Sequence, residues 1–493
     1  MTVEGTGSPG GRNERSHTKL IATLGPATAD REVMRKLFIE GIDVCRLNFS
    51  HGSLQDHSAS IDMVRDLNRE MGVNVAILAD LQGPKLRVGE IEGGGMELHE
   101  GQSLRLVTQP AGARENGLHV NCGSLPGDVE AGEEVLLDDG KIMLRVLETD
   151  GAASVLARVV HGGLIRSGKG INLPSTRLSV PSLTEKDRRD AAFALERGVD
   201  WLALSFVRSP EDILALRKVV SDAGNRAWIV AKIEKPQALE HIDRIIEVSD
   251  AVMVARGDLG VEVDFHRVPM IQKRIVDKCI RAATPVIIAT QMMESMIENY
   301  RPTRAEATDV ANAVLDGADA LMLSGETAVG RYPDTVVGNM QRIIDWTEAH
   351  GVQSCGEGEM PRGAGPGKAG ASSLPDSICY GAVQMARQNG ARAIVTFTHS
   401  GYTAVRISSH RPSADIFAFT MNRRLLPLLS MVWGVRAFYL ESSGQIEDYV
   451  NRSMQFLRER DLAGPGDTVV HVGSIPLQEH GKTNMLKLSY LEE

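Results

Sequence analysis

Eight short apolar runs recur along the first two thirds of the chain. They are "KLIATLG" (19–25), "VCRLNF" (44–49), "VAILAD" (75–80), "WLALSF" (201–206), "WIVAKI" (228–233), "AVMVAR" (251–256), "PVIIAT" (285–290) and "ALMLSG" (320–325). Nearly all are continuous rather than alternating, as strands buried on both faces should be. Most are followed by a stretch with helical spacing. After the fourth comes "SPEDILALRKVVSDAG", whose Ser209-Pro210-Glu211 start reads as an N-cap, a proline at the first helical position and an acid in the first turn. Eight such strand–helix units predict a (β/α)8 TIM barrel, an α/β fold.

The third and fourth runs are too far apart for a βα loop. The segment between them places Gly-rich turns ("EGGG", "PAGARENG", "ETDGAAS", "HGG") among short alternating stretches such as "SLRLVT", "KIMLRV" and "SVLARVV". That pattern predicts a small β domain inserted over 87–181, leaving 18–86 and 182–350 to the barrel. An insertion at the C-terminal end of a barrel strand lands on the face where barrel chemistry sits, so it is expected to act as a lid. Residues 351–375, rich in Gly, Pro and Ser, read as a linker. From 376 to 493 a new strand–helix alternation predicts a C-terminal α/β domain. The polar, Gly-rich residues 1–17 read as a disordered leader with no apolar signal-peptide core.

Composition narrows the function classes. The chain has 493 residues and a net charge of -10, which argues against a general nucleic-acid binder. No apolar run reaches the roughly 20 residues needed to span a bilayer. The five cysteines are odd in number and include no C-x-x-C, so neither a disulfide framework nor a structural zinc site is expected and a reducing cytoplasm fits. Cys45 reads as a small buried hydrophobe.

The strand ends carry the candidate chemistry. The second run ends in Arg46, Asn48, Ser50 and His51, and the third in Asp80. The fifth gives Lys232 and Glu234, the sixth Arg256 and Asp258. The seventh gives Thr290, Gln291 and Glu294, and the eighth Ser324 and Glu326. A single polar strand end is an ordinary loop start; six on one face of a barrel point to a site. Glu234 and Asp258 suit one hard divalent cation, Mg²⁺ or Mn²⁺, with open positions for water and substrate oxygens. The missing histidine and thiolate ligands argue against zinc. Arg46 and Lys232 suit the neutralisation of a transferring phosphoryl group. Lys232 and Glu234 are two apart, so on a strand both face one way.

These residues and motifs resemble the pyruvate kinase family. The resemblance rests on "TKLIATLGPAT", "CRLNFSHG", "SGKGINLPS", "AKIEKPQ", "VARGDLGVE", "ATQMMESM" and "PTRAEATDVANAVLDGADALMLSGETAVGRYP", and it runs over roughly 18–493. It implies a barrel domain, an inserted lid described as a small β-barrel, a C-terminal α/β domain and a homotetramer. It implies the reaction of phosphoenolpyruvate with ADP to give pyruvate and ATP, the last step of glycolysis. On the matched motifs, Arg46 would contact the phosphoryl group and Lys232 would stabilise it in flight. Glu234 and Asp258 would bind Mg²⁺. Backbone N–H groups near Arg256, Gly257 and Asp258, with the Thr290 hydroxyl, would hold the substrate carboxylate. Thr290 would also end the proton route to the enolate carbon. Asn48, His51, Arg87 and Lys169 would lie on the nucleotide side.

The stretch "ADLQGPKLRVGE" (79–90) departs from the K⁺-requiring branch of that family, which reads D-T-K-G-P-E-I-R-T there. Asn48, Ser50 and Asp80 of the monovalent-ion region are kept. Leu81, Gln82, Lys85 and Val88 stand where those members have Thr, Lys, Glu and Thr. Lys85 then offers a fixed ammonium where K⁺ supplies charge elsewhere, and activity without K⁺ is expected. In the C-terminal domain "TFTHSGYTA" groups Thr396, Thr398, Ser400, Gly401 and Thr403 before a helix, a candidate phosphate cradle. The resemblance makes it the site of a phosphorylated activator, with a sugar monophosphate or AMP preferred. Two other readings share the barrel: a Mg²⁺-enolate aldolase or lyase, which would not need the lid, Lys169 or Lys232, and an inactive regulatory homologue, which would have lost Arg46, Lys232 or a metal carboxylate.

Overall fold

The computed structural model describes residues 3–5, 16–109, 117–351, 374–441, 445–475 and 483–492. Its largest unit is a closed barrel of eight parallel strands. In chain order they are Lys19–Thr23, Val44–Asn48, Ala76–Asp80, Trp201–Leu204, Trp228–Ile233, Ala251–Ala255, Val286–Ala289 and Ala320–Leu323, called strands 1 to 8 below. All eight apolar runs are barrel strands. Their continuity follows from burial on both faces: every residue of strand 3 is buried, against side chains inside the barrel and helices outside.

Several helices begin on the capping chemistry written in the sequence. Ser209 caps helix Pro210–Asp222 with Pro210 at its first position. In the "PTRAE" motif Thr303 and Glu306 form a capping box, and Glu306 also takes Ser295 N and Oγ at 2.7 and 2.5 Å, pinning the loop after strand 7. Thr184 and Asp187 form another box, and Asp187 Oδ1 accepts the Gly83 N–H at 3.0 Å. The helix that follows the inserted domain is thereby fixed to the loop that precedes it.

The inserted domain leaves the barrel after strand 3. Its strands surround one apolar core as a six-stranded sheet and a two-stranded ribbon, the form that the expected small β-barrel takes here. Strand Ile142–Thr149 alternates buried and outward residues, as the alternating sequence predicted. The C-terminal domain is a six-stranded sheet. Four parallel strands, Ala393–Phe397, Asp415–Thr420, Val435–Leu440 and Thr468–Gly473, lie between two antiparallel edge strands. One edge is Met485–Tyr490. The other is Val3–Gly5, so these three residues of the expected disordered leader form a sheet edge rather than a free tail. An edge strand with open N–H and C=O groups is a template for such an addition. Residues 352–373 of the expected linker, and Cys355 within them, lie outside the described residues.

The C-terminal domain docks at the barrel end opposite the polar strand ends. Asp319, just before strand 8, pairs with Arg411 at 2.9 Å with both side chains buried, and accepts the Trp433 N–H at 3.2 Å. No described helix is long and apolar enough to cross a membrane. The other four cysteines, Cys45, Cys122, Cys279 and Cys379, are free and buried.

Candidate active site

Lys232, on strand 5, is the centre of the polar face. Its Nζ lies 3.1 Å from Asp80 Oδ1, 2.9 Å from Glu234 Oε1 and 2.7 Å from Ser205 Oγ. Three acceptors match its three donors. Asp80 Oδ2 takes Arg46 Nε and Nη2, each at 2.7 Å, and Arg46 Nη1 donates to Thr23 Oγ1 at 2.9 Å. Two cations from strands 2 and 5 therefore share one carboxylate from strand 3, and Asp80 is only 1% exposed. Burial acts to push Asp80 up, but Lys232 and Arg46 outweigh it and hold the carboxyl below its usual range. Burial likewise acts to push Lys232 down, and Asp80 and Glu234 outweigh it and keep the ammonium charged.

Strand 4 ends in a corner that holds two of these groups. Ser205 Oγ donates to the Leu81 carbonyl at 2.7 Å, which turns a lone pair toward Lys232. Phe206 has a φ of 56°, an uncommon value for a bulky side chain, and its N–H donates to Glu234 Oε2 at 2.8 Å. Gly83 packs under this corner: a Cβ there would lie 2.7 Å from Phe206 Cδ2. Glu234 is pushed up by burial, with Asp258 adding to the rise against the pull of Lys232. The rise comes first from burial and then from the nearness of a second carboxylate, beside the Lys232 ammonium. Glu234 and Asp258 offer oxygen donors only, the ligand type that a hard divalent cation takes.

Strands 6 and 7 meet through Thr290. Its Oγ1 accepts the Gly257 N–H at 2.7 Å and donates to the Ala289 carbonyl at 2.6 Å. Thr290 and Gln291 have φ of 68° and 56°. Arg256 points its guanidinium away from this face, pairing with Asp309 at 2.7 Å and donating to the Thr290 carbonyl at 2.9 Å. Its side chain thereby ties the end of strand 6 to the residue after strand 7 and to helix Arg304–Leu315.

Lys85 Nζ stands 4.0 Å from Asp258 Oδ1. Burial lowers the His51 imidazole, and the charges of Arg87, Lys85 and Arg46 lower it further. Asn48 is the register partner of Asp80, and its Oδ1 accepts the Ser50 N–H at 3.1 Å. Leu81 is buried. On the lid, Lys169 Nζ pairs with Asp138 Oδ1 at 2.8 Å, and Arg87 donates to the Gly168 carbonyl at 2.9 Å.

Residues 15–337 match the barrel domain of pyruvate kinase, and residues 376–489 match its alpha/beta domain. The chain belongs to the pyruvate kinase family. A pyruvate kinase of Corynebacterium glutamicum is 42% identical, over 96% of this chain and 97% of its own. One of Mycobacterium tuberculosis is 41% identical, over 96% and 98%. Among solved structures, a pyruvate kinase from Cryptosporidium parvum has a TM-score of 0.89 at 33% identity, covering 98% of each chain. This family member is a phosphotransferase.

Other predicted positions divide. Glu326 is buried and structural: its oxygens accept the Met293 and Ser324 N–H groups at 3.2 and 2.6 Å. Gln291 and Glu294 are exposed. In the C-terminal loop, Thr398 Oγ1 accepts the Gly401 N–H at 3.0 Å, Gly401 has a φ of 86°, and Thr403 Oγ1 is 3.0 Å from Thr483 Oγ1. Thr398, Ser400 and Thr403 line an open cavity with His399 and Tyr402. Thr396 instead lies fully buried within its strand and does not line that cavity; its neighbour Phe397, which faces the opposite way, does. Sequence reasoning missed Thr23, Ser205 and Phe206. Only the position of "SF" at a strand end could have signalled the last two.

Proposed function

We propose that this chain transfers the phosphoryl group of phosphoenolpyruvate to ADP, giving pyruvate and ATP. The observation that carries the reading is the buried, charged Lys232, set between two carboxylates and sharing Asp80 with Arg46. Such a pair of fixed cations neutralises charge on a phosphoryl group in flight without reorganising at the moment of reaction. Glu234 and Asp258 hold Mg²⁺ or Mn²⁺, which when bound supplies electrostatic stabilisation to substrate oxygens. The backbone of Arg256, Gly257 and Asp258 and the Thr290 hydroxyl hold the substrate carboxylate, and Thr290 ends the proton route to the enolate carbon. Asn48, His51, Arg87 and Lys169 take the nucleotide.

Lys85 stands in for a monovalent cation beside Asn48, Ser50, Asp80 and Leu81, so K⁺ is not required. Its closeness to Asp258 and its effect on His51 support a role facing the site rather than solvent. The cavity at Thr398, Ser400, Gly401 and Thr403 takes the phosphate of an allosteric activator, a sugar monophosphate or AMP. The working form is a cytoplasmic homotetramer. The test is Mn²⁺ binding, read by electron paramagnetic resonance, alongside pyruvate formation. Glu234→Gln and Asp258→Asn should each weaken Mn²⁺ binding at least about tenfold, the scale of one lost charged ligand contact, and lower turnover in parallel. Unchanged Mn²⁺ affinity in both variants would remove the metal assignment.

A further inference from the structure

Three polar side chains join the lid to the barrel at a place the chemistry above leaves unused. Asn172, in the short lid strand Ile171–Asn172, donates from Nδ2 to Glu262 Oε1 at 2.8 Å. Lys235 Nζ lies 2.7 Å from the same oxygen. Glu262 and Lys235 are buried, at 3% and 8% exposed. The second carboxylate oxygen, Glu262 Oε2, is buried with no hydrogen-bond partner. Loading two donors on one oxygen and leaving the other bare is expensive for a charged group, and such a group calls for an explanation beyond packing.

The connections of this carboxylate suggest one. Glu262 ends the helix Arg256–Glu262, which carries Gly257 and Asp258. Lys235 directly follows Glu234. Its ammonium also lies 5.9 Å from the ring centroid of Phe206, whose N–H holds Glu234. On the lid side Asn172 pairs in register with Leu136, two residues before Asp138, the partner of Lys169. The lid turn at Gly140 reaches the same helix, where a Cβ would lie 3.8 Å from Val261 Cγ1. One oxygen atom therefore connects the lid segment bearing Lys169 with both loops that bear the candidate metal carboxylates.

We infer that Glu262 is a positioning residue that senses the lid through Asn172 and couples nucleotide binding to binding of the three-carbon substrate. The inference rests on the function proposed above. With the lid down, the Asn172 bond holds Glu262, and with it the helix carrying Gly257 and Asp258, in one place. With the lid away, Glu262 loses a donor and is free to turn its bare oxygen toward Lys235. Because such coupling is reciprocal, nucleotide tightens the three-carbon ligand by the same factor as the reverse.

ADP and pyruvate cannot react with each other, so their mutual effect on dissociation constants reads the coupling directly. The constants are measured by calorimetry, with Mg²⁺ present, for the full chain and for Asn172→Ala, Glu262→Gln and the double variant. The wild-type coupling factor should fall in the roughly 5–150-fold range of ordinary allosteric coupling. Each single variant should bring it close to one, the double variant should do no more than either single, and pyruvate affinity without ADP should stay within about twofold of wild type, since no direct contact is lost. A wild-type coupling near one, coupling kept in both singles, or additive losses overturn the inference. A merely structural role would lower thermal stability without moving the coupling factor. If Glu262→Gln does not fold, Asn172→Ala on the lid decides alone. Turnover of phosphoenolpyruvate and ADP by the wild type is measured first. Its absence sinks the proposed function, whereas turnover with unaltered coupling sinks only this inference.

Discussion

Replacing Asp80 with asparagine tests the electrostatic core of the site. Asp80 lies 3.1 Å from Lys232 Nζ and 2.7 Å from Arg46 Nη2. At an effective dielectric constant of about 20, Coulomb's law gives roughly 5 kcal/mol for the first contact and about 6 for the second. The cost of desolvating the ions offsets much of this, and breaking a buried ion pair by removing one partner leaves a loss of about 3–5 kcal/mol. Asparagine keeps one acceptor, but its amide N–H groups then face one of the two cations. If the loss falls on the placement of Lys232 and Arg46, turnover drops by about 10² to 10⁴-fold at 1.4 kcal/mol per factor of ten. The assay is steady-state pyruvate formation, with thermal unfolding run alongside to register any share taken as stability. KM for ADP should move little, because Asp80 is buried behind the two cations. Turnover within about threefold of wild type, a difference of less than 1 kcal/mol, refutes the shared-carboxylate account.

Two further predictions concern charge elsewhere. Lys85→Glu should make activity in Na⁺ buffer fall and return on adding K⁺; it should also raise the His51 pKa, since Lys85 is among the cations that lower it, and NMR titration checks the sign. A variant as active in Na⁺ as the wild type would end the cation-substitution idea. In the C-terminal domain His471 is buried between Ser453 Oγ and Ser489 Oγ, each 3.2 Å from a ring nitrogen, and burial, with Lys487, lowers it to about 4 from 6.5. The unfolded chain takes up that proton below pH 6.5 and the folded one does not until about 4. Stability of this domain should therefore fall as pH drops through that window, by roughly 3 kcal/mol in all. Hydrogen exchange of strand Thr468–Gly473 should show the slope, and His471→Gln should flatten it.

The barrel was legible because its strands are buried on both faces. Continuous apolar runs such as Ala251–Ala255 are what strands buried on both faces require, their eightfold recurrence with helical stretches between marked the barrel, and the alternation in Ile142–Thr149 marked the inserted domain. The sheet edges were harder to read. Met485–Tyr490 is mixed in burial, and Val3–Gly5 has too few residues to show a period. At the site, charged strand ends announced Arg46, Asp80, Lys232, Glu234 and Asp258. What they bind to did not show. Arg46 and Asp80 meet only because the parallel register of strands 2 and 3 sets Asn48 beside Asp80. Ser205 and Phe206 carry no charge, and a positive φ on phenylalanine leaves no mark in the sequence. Arg256 was legible as a residue but not in direction, because its partner Asp309 lies on a distant helix.

The most direct test of the account is pyruvate formation from phosphoenolpyruvate and ADP with Mg²⁺, first in Na⁺ buffer and then with K⁺ added, for the wild type and for Lys232→Met. The account predicts strong wild-type turnover in Na⁺ with little gain from K⁺, and near-complete loss in Lys232→Met under both conditions. Turnover by Lys232→Met close to that of the wild type would contradict it.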